Sequence, residues 1–252
     1  MSDWRETMTL QSYFATSRQA RYSVLFAFPL LILYEGLSAL LSGSAVAGVR
    51  NGADVLLKTV FLSLGGRWGL LVFGVLFLGI GGWIVWRDQR RRRVPLAPKL
   101  FAAMFAESLV YAALFGQTVA LLTTWLLQGG PSLMTVAQSP VASLPVGTQL
   151  VVSLGAGLYE ELVFRVLLVS ALLWLGMRLG WRRPVAVGAA VVLSALIFSG
   201  FHYIGPYGDA FTTPSFTFRA IAGLLLSGLY VARGFGIAAW THALYDVGLA
   251  LL

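Results

Sequence analysis

The sequence predicts an all-α membrane protein, a polytopic transmembrane bundle of about seven to eight helices around a polar intramembrane cavity. Of its 252 residues, 58% are hydrophobic and only 11% are charged, whereas soluble domains carry about a quarter charged residues. The mean hydropathy is +0.80, and several apolar stretches approach the roughly 20 residues that a helix needs to cross a bilayer. This composition argues against a water-soluble enzyme, a nucleic-acid-binding protein and a disordered chain.

Apolar stretches divide the chain into seven expected spans. In order, they are residues 22–43, 68–86, 101–127, 150–178, 185–203, 218–233 and 236–252. Residues 54–65 are apolar but short and contain Lys58, so we expect an interfacial or re-entrant helix there. Residues 1–21 lack the apolar core of a cleavable signal peptide, so the first span is expected to remain as an anchor.

The spans form one expected integral-membrane domain with two parts. Residues 1–149 supply N-terminal helices and a basic loop, and residues 150–252 supply the helical core that holds the candidate chemistry. With the N-terminus inside, 13 of the 18 basic residues fall in the cytoplasm, as the positive-inside rule favours. The net charge of +8 is therefore attributed to topology and not to a nucleic-acid partner.

Two loops support this orientation. Residues 87–93 contain five arginines, which we interpret as a solvated cytoplasmic loop in preference to a lipid-headgroup or regulatory site. The segment Gly129–Gly147 contains no charged residue, as an exported loop can. If the chain is bacterial, helical spans place it in the inner (plasma) membrane.

The inventory of reactive side chains is small. The chain has no cysteine, which excludes thiolate zinc sites, iron–sulfur clusters and a cysteine nucleophile. Its two histidines, His202 and His242, both fall in apolar spans. Ionisable residues inside spans are costly and usually mark functional sites, so the candidate chemistry is sought there.

The fourth span holds the densest polar set, Glu160, Glu161 and Arg165. Glu161 and Arg165 are four residues apart and can pair on a helix. Glu160 points about 100° away from Glu161 around the axis, which leaves it free to act as a general base.

The two histidines lie in the later spans, each with a neighbour four residues away. Phe198 precedes His202, and His242 precedes Asp246. A carboxylate beside a histidine fixes its tautomer and raises its basicity. Taken singly, Glu161 with Arg165 could be a structural ion pair, His242 with Asp246 a helix-packing pair, and Phe198 core packing.

Two further intramembrane carboxylates, Glu35 and Glu107, have no basic neighbour at helical spacing. Either could serve a proton path, but we interpret both as structural or interfacial. They are left out of the candidate site.

Three motifs follow in order on successive apolar helices. They are Glu160-Glu161-x-x-x-Arg165, Phe198-x-x-x-His202 and His242-x-x-x-Asp246. Together they resemble the motifs of the CPBP family of intramembrane proteases, named for CAAX and bacteriocin processing and also called Abi. The family includes the Ras-converting CAAX endopeptidases, which cut after a prenylated cysteine. The resemblance covers roughly residues 150–252.

The resemblance implies an intramembrane endopeptidase and assigns roles to the motif residues. Glu160 and His202 would activate water, while His242 and Asp246 would stabilise the oxyanion or complete a metal site. Glu161 and Arg165 would hold these groups in place. Asp246 stands where the family commonly has Asn, and an ionised carboxylate cannot donate a hydrogen bond.

The resemblance leaves the metal and the substrate open. The family has been described both as metalloproteases and as glutamate proteases without a metal. Two histidines and a carboxylate, here Glu160, His202 and His242, match a catalytic zinc ligand set. The expected partners are the lipid bilayer and a membrane-embedded or lipidated peptide, either prenylated or a peptide precursor; no oligomeric state is predicted.

Two other function classes remain as alternatives. A noncatalytic membrane scaffold or chaperone of the same fold would use its cavity for binding. A proton-coupled transporter would use the same carboxylates and histidines as a relay, although the paired broken helices or repeats of such transporters are not evident in the sequence.

Overall fold

Helices make up nearly all of the chain that the computed structural model describes, which comprises residues 9–42, 50–92, 95–127, 140–205 and 208–252. In order, they are α1 (Leu10–Ser17), α2 (Ala20–Ser42), α3 (Gly52–Arg92), α4 (Pro98–Leu126), the 3-10 turn Pro140–Ser143, α5 (Val146–Gly155), the π-helical segment (Ala156–Val169), α6 (Ser170–Arg178), α7 (Arg183–Phe201), α8 (Thr213–Arg233) and α9 (Phe235–Leu251). The described residues contain no strand, which confirms the predicted all-α class.

Among the described residues, five helices are long and apolar enough to cross a membrane, namely α2, α3, α4, α7 and α8. They coincide with five of the seven predicted spans. The predicted span 150–178 is continuous but comprises α5, the π-helical segment and α6, and the last predicted span is the 17-residue α9. The chain is therefore an integral membrane protein.

The short helix predicted at 54–65, interfacial or re-entrant, is the first arm of α3. Gly65 and Gly66 have non-helical dihedral angles, and Gly66 has a φ of 55°, which glycine tolerates at little steric cost. The rings of Phe61 and Phe73 lie 5.3 Å apart, although twelve residues span about 18 Å in a straight helix. The two arms of α3 therefore fold back on each other at this glycine pair.

Helix α9 lies at the centre of the bundle, in contact with α2, α4, α5, α8 and the π-helical segment. Glycine permits two of these approaches. A side chain at Gly157 would meet the backbone oxygen of Ala239 at 2.5 Å, and one at Gly236 would meet the backbone of Ser23 at 2.6 Å. The close contact at Gly157 brings the first motif against the third.

Several helix boundaries differ by a few residues from the prediction, and two of them lie on either side of His202. Helix α8 begins at Thr213, five residues before the predicted 218, because Thr212 caps it by accepting from the Ser215 N–H and Pro214 sits in its first turn, where proline is well tolerated. Helix α7 ends at Phe201 with His202 as its C-cap. The helix thus ends two residues before the predicted 203, and His202 lies just beyond it.

The bundle has a basic end, defined by Arg90, Arg91 and Arg92 at the C-terminus of α3 and Arg183 at the start of α7. There Glu107 pairs with Arg233, whose guanidinium Nε lies 2.6 Å from the carboxylate. Glu107, which has no basic neighbour at helical spacing in the sequence, therefore links α4 to α8 through an ion pair. Arg5, Arg93 and most of the segment Gly129–Gly147 lie outside the described residues.

Candidate active site

Glu160 lies on the π-helical segment and is almost completely buried. The side-chain amide of Asn51 donates to its Oε1 at 2.7 Å. The same amide accepts through its oxygen from the Ala53 N–H at 2.8 Å, in the manner of an N-capping residue at the start of α3. The capping bond fixes the orientation of the amide, so its NH₂ group faces Glu160.

His202 faces the other oxygen of Glu160. Its Nδ1 lies 2.8 Å from the carbonyl oxygen of Phe198, and because a carbonyl only accepts, Nδ1 carries the proton. Nε2 lies 3.8 Å from Glu160 Oε2, an oxygen that has no hydrogen-bond partner within the described part of the chain. Glu160 and His202 therefore face each other at a distance longer than a direct hydrogen bond, as groups linked through a water molecule do.

Glu161 joins the first motif to the third. Its Oε1 lies 3.1 Å from the guanidinium of Arg165, as the spacing predicts, and also accepts from His242 Nδ1 at 2.8 Å. Glu161 and Arg165 are both fully buried. The link from Glu161 to His242 joins two helices, so helical spacing gave no sign of it.

Asp246 lies at the outer side of this group. Its Oδ2 is 3.4 Å from His242 Nε2, on the face of α9 that the sequence predicts. His242 thus lies between Glu161 and Asp246, with one ring nitrogen directed at each carboxylate.

Phe198 packs in the middle of the site. The Arg165 guanidinium carbon lies 4.3 Å from the centre of its ring, within the range of a cation–π contact. The rings of His202 and His242 lie 4.7 Å and 6.2 Å from the same ring. Phe198, which the sequence predicts as core packing, therefore packs against the rings of both histidines.

All three motifs meet at the end of the bundle opposite the basic end. Helix α7 begins at Arg183, and His202 caps its far end, about 28 Å away for a helix of this length. Asn51 joins them there through its hydrogen bond to Glu160. The fold thus brings the six predicted residues together within one layer of the bundle, namely Glu160, Glu161, Arg165, His202, His242 and Asp246.

A charged cluster supports Asn51 from the side away from Glu160. Asp54 contacts Arg50 at 2.9 Å and Lys58 at 2.7 Å, and both cations also contact Glu35. Tyr34 donates to Asp54 at 2.7 Å and accepts from the Asn51 N–H at 3.3 Å. Glu35 is therefore ion-paired through tertiary structure, which its sequence neighbours do not reveal.

The donors predicted for zinc do not converge in this arrangement. Within the described residues, no three histidine or carboxylate side chains are grouped so that they could hold a metal ion. His242 directs one nitrogen at Glu161 and the other at Asp246, so its ring would have to leave one carboxylate to join Glu160 and His202 around an ion. As they stand, these residues do not fit a zinc site.

Two glutamates, an arginine and two histidines are buried together inside a helical membrane bundle. These features define the class of protein, a membrane protein with an enzyme-like polar centre. Comparison with family models gives a match over residues 142–248 to the family described as Type II CAAX prenyl endopeptidase Rce1-like. All three motifs lie inside the matched region. The match agrees with the resemblance to CAAX-type endopeptidases that the three motifs indicate. Neither the curated proteins nor the solved structures contain a match to the chain.

Proposed function

We propose that the chain is an intramembrane endopeptidase that hydrolyses a peptide bond of a membrane-associated substrate. The observation that carries this proposal is the 3.8 Å separation between Glu160 Oε2 and His202 Nε2. A buried carboxylate oxygen without a hydrogen-bond partner among the described residues faces a ring nitrogen whose lone pair is free. This pair suits a water molecule that donates one proton to each group.

The proposed reaction begins when Glu160 takes a proton from that water. The resulting hydroxide attacks the carbonyl carbon of the scissile bond, and the carbonyl oxygen becomes an oxyanion. His202 orients the water through Nε2, because its Nδ1 proton is committed to the Phe198 carbonyl. The carbon–nitrogen bond then breaks, and Glu160 returns its proton to the leaving amine.

His242 is proposed to meet the oxyanion. With protons on both nitrogens, it donates Nδ1–H to Glu161 and turns Nε2–H toward the substrate. Before the substrate binds, Nε2–H points to Asp246, whose carboxylate lies 3.4 Å from Nε2. A preorganised donor of this kind is worth about 3 kcal/mol of transition-state stabilisation in other hydrolases.

Glu161 and Arg165 are proposed as positioning residues. Arg165 supports Glu161 electrostatically, and Glu161 fixes the orientation of His242 and stabilises its positive charge. Asn51 plays the corresponding part for Glu160. In this mechanism, the chain's own side chains act without a metal. Metal analysis distinguishes it from the alternative in which Glu160, His202 and His242 bind zinc.

The proposed substrate is a membrane-embedded or lipidated peptide, because the reactive pair is buried inside a membrane bundle. For a bacterial chain, we propose the inner membrane as its location. The test uses purified protein in liposomes with a library of membrane peptides, each present in prenylated and unprenylated form. Cleavage of the prenylated set alone would identify a CAAX-type substrate, and cleavage of the unprenylated set would identify a peptide precursor.

The variants Glu160→Gln and His202→Ala accompany the wild type in this test, with Asp88→Asn as the control. Asp88 lies at the basic end beside Arg92, away from the three motifs, so its loss removes one carboxylate without touching the site. We expect the control to cleave and both site variants to fail. A cellular phenotype that survives both site variants would instead support a scaffold, and proton-driven uptake into vesicles would support a transporter.

A further inference from the structure

A large apolar cleft lies on the face of the π-helical segment that points away from the candidate active site. It has a volume of about 1070 Å³ and lies between α2, the second arm of α3, and the π-helical segment with α6. Leu158, Leu162 and Val166 line it at four-residue intervals, while Glu161 and Arg165 on the same segment point toward His242 and Phe198. The cleft is thus separate from the reactive pair.

The cleft changes in chemistry along its length. Toward the active-site end, it is lined by the aliphatic and aromatic side chains of Leu57, Phe61 and Phe73. Toward the basic end, it is lined by Arg18, Arg90 and Arg183, which come from three different parts of the chain. No acidic residue is among the described residues that line it.

The basic end of the cleft also receives two helix N-termini. Ala20 begins α2 and Arg183 begins α7, and both residues line the cleft. Helix N-termini present unpaired N–H groups and the positive end of the helix dipole, which favour phosphate and other anions. Three guanidinium groups and two helix N-termini therefore concentrate positive charge beside an apolar slot.

We propose that this cleft binds one anionic phospholipid. The acyl chains occupy the apolar part, and the phosphate contacts Arg18, Arg90 and Arg183. An amphiphile with a negative head and two long apolar tails matches both the shape and the charge order of the cleft. Basic pockets between membrane helices on the cytoplasmic side bind such headgroups in general, and guanidinium groups suit phosphate through paired hydrogen bonds.

Because the cleft is separate from Glu160, the lipid bound there is a structural lipid and not the substrate. Its tails lie against the side of the π-helical segment that is opposite to the reactive side chains. It would fill the space between the second arm of α3 and the motif helix, where protein side chains leave a gap. The proposal is independent of the proposed protease activity, since it rests on the cleft alone.

The test measures lipid retention by native mass spectrometry, with the protein exchanged into mixtures of dioleoyl phosphatidylglycerol and dioleoyl phosphatidylcholine. The variant Arg18→Gln/Arg90→Gln/Arg183→Gln removes the proposed headgroup contacts. The matched control Arg91→Gln/Arg92→Gln/Arg178→Gln removes the same charge near the same end, from residues outside the cleft lining. A third variant, Gly82→Phe, fills the cleft at a lining glycine that has open space beside it.

We expect the wild type to retain one phosphatidylglycerol in preference to phosphatidylcholine. In the triple cleft variant, the preference for phosphatidylglycerol over phosphatidylcholine should fall about 10- to 100-fold. The control variant should keep the wild-type preference. Gly82→Phe should reduce retention of both lipids. Equal retention of the two lipids by the wild type, or equal loss of preference in the cleft and control variants, would overturn the proposal.

Discussion

The side chain of Asn51 caps helix α3 and holds Glu160 with the same amide group. Its oxygen accepts from the Ala53 N–H at 2.8 Å, and its nitrogen donates to Glu160 Oε1 at 2.7 Å. The carboxylate is thereby held so that its second oxygen faces His202. Asn51 joins the N-terminal half of the chain to the motif region.

Replacement of Asn51 by Asp keeps a capping oxygen but removes the donor to Glu160. We expect kcat to fall about 100-fold with KM nearly unchanged, because a misplaced catalytic group costs about that factor while the binding surface is untouched. Steady-state kinetics in liposomes measure this split.

A double-variant cycle separates positioning from folding. In a Glu160→Gln background, Asn51→Asp should produce little further loss, because the group that Asn51 positions is already inactive. Additive losses in the cycle would show that Asn51 acts elsewhere, even if Glu160 proves essential.

The buried pair of Glu161 and Arg165 supports both stability and His242. Glu161→Gln should lower the free energy of unfolding by about 3–5 kcal/mol, since it leaves a fully buried guanidinium without its counter-charge. Arg92→Gln, which breaks a half-exposed pair with Asp88, should cost under about 1 kcal/mol. Thermal or denaturant unfolding in detergent compares the two variants.

An apolar replacement of this pair distinguishes its two roles. Glu161→Leu combined with Arg165→Met should recover much of the stability, because no buried charge remains unpaired. Activity should stay low, since His242 has lost the acceptor at 2.8 Å. Recovery of activity along with stability would show that His242 needs no carboxylate at Glu161.

The contact between the motif helix and α9 depends on the absence of a side chain at Gly157. Gly157→Ala should destabilise the fold by about 1–3 kcal/mol, because its Cβ would lie 2.5 Å from the Ala239 oxygen. Gly248→Ala, in α9 with nothing within 4 Å of the new carbon, is the matched control and should be neutral or slightly stabilising.

Metal analysis tests the arrangement of the ligands. Because His242 directs both nitrogens at carboxylates, we expect cleavage to persist after chelation and metal content to be the same in wild type and His202→Ala. Stoichiometric zinc that disappears in His202→Ala, together with loss of cleavage on chelation, would establish a metalloprotease in which this ring is a ligand.

The sequence predicts the all-helical class, most of the spans and the residues that meet at the site, because each depends on hydropathy or on spacing along one helix. It does not predict the π-helical segment, since a wider turn leaves almost the same apolar pattern. It also misses Asn51, the bridge from Glu161 to His242 and the pairing of Glu35 with Arg50. These contacts join residues 15 to 109 positions apart, so only tertiary structure brings them together.

In the proposed mechanism, Glu160 activates the attacking water. The single-turnover rate of peptide hydrolysis in liposomes, compared between Glu160→Gln and wild type at matched thermal stability, measures this role. We predict a loss of at least about 100-fold, the lower range for removal of a general base. A Glu160→Gln rate within twofold of wild type would show that Glu160 is not the general base.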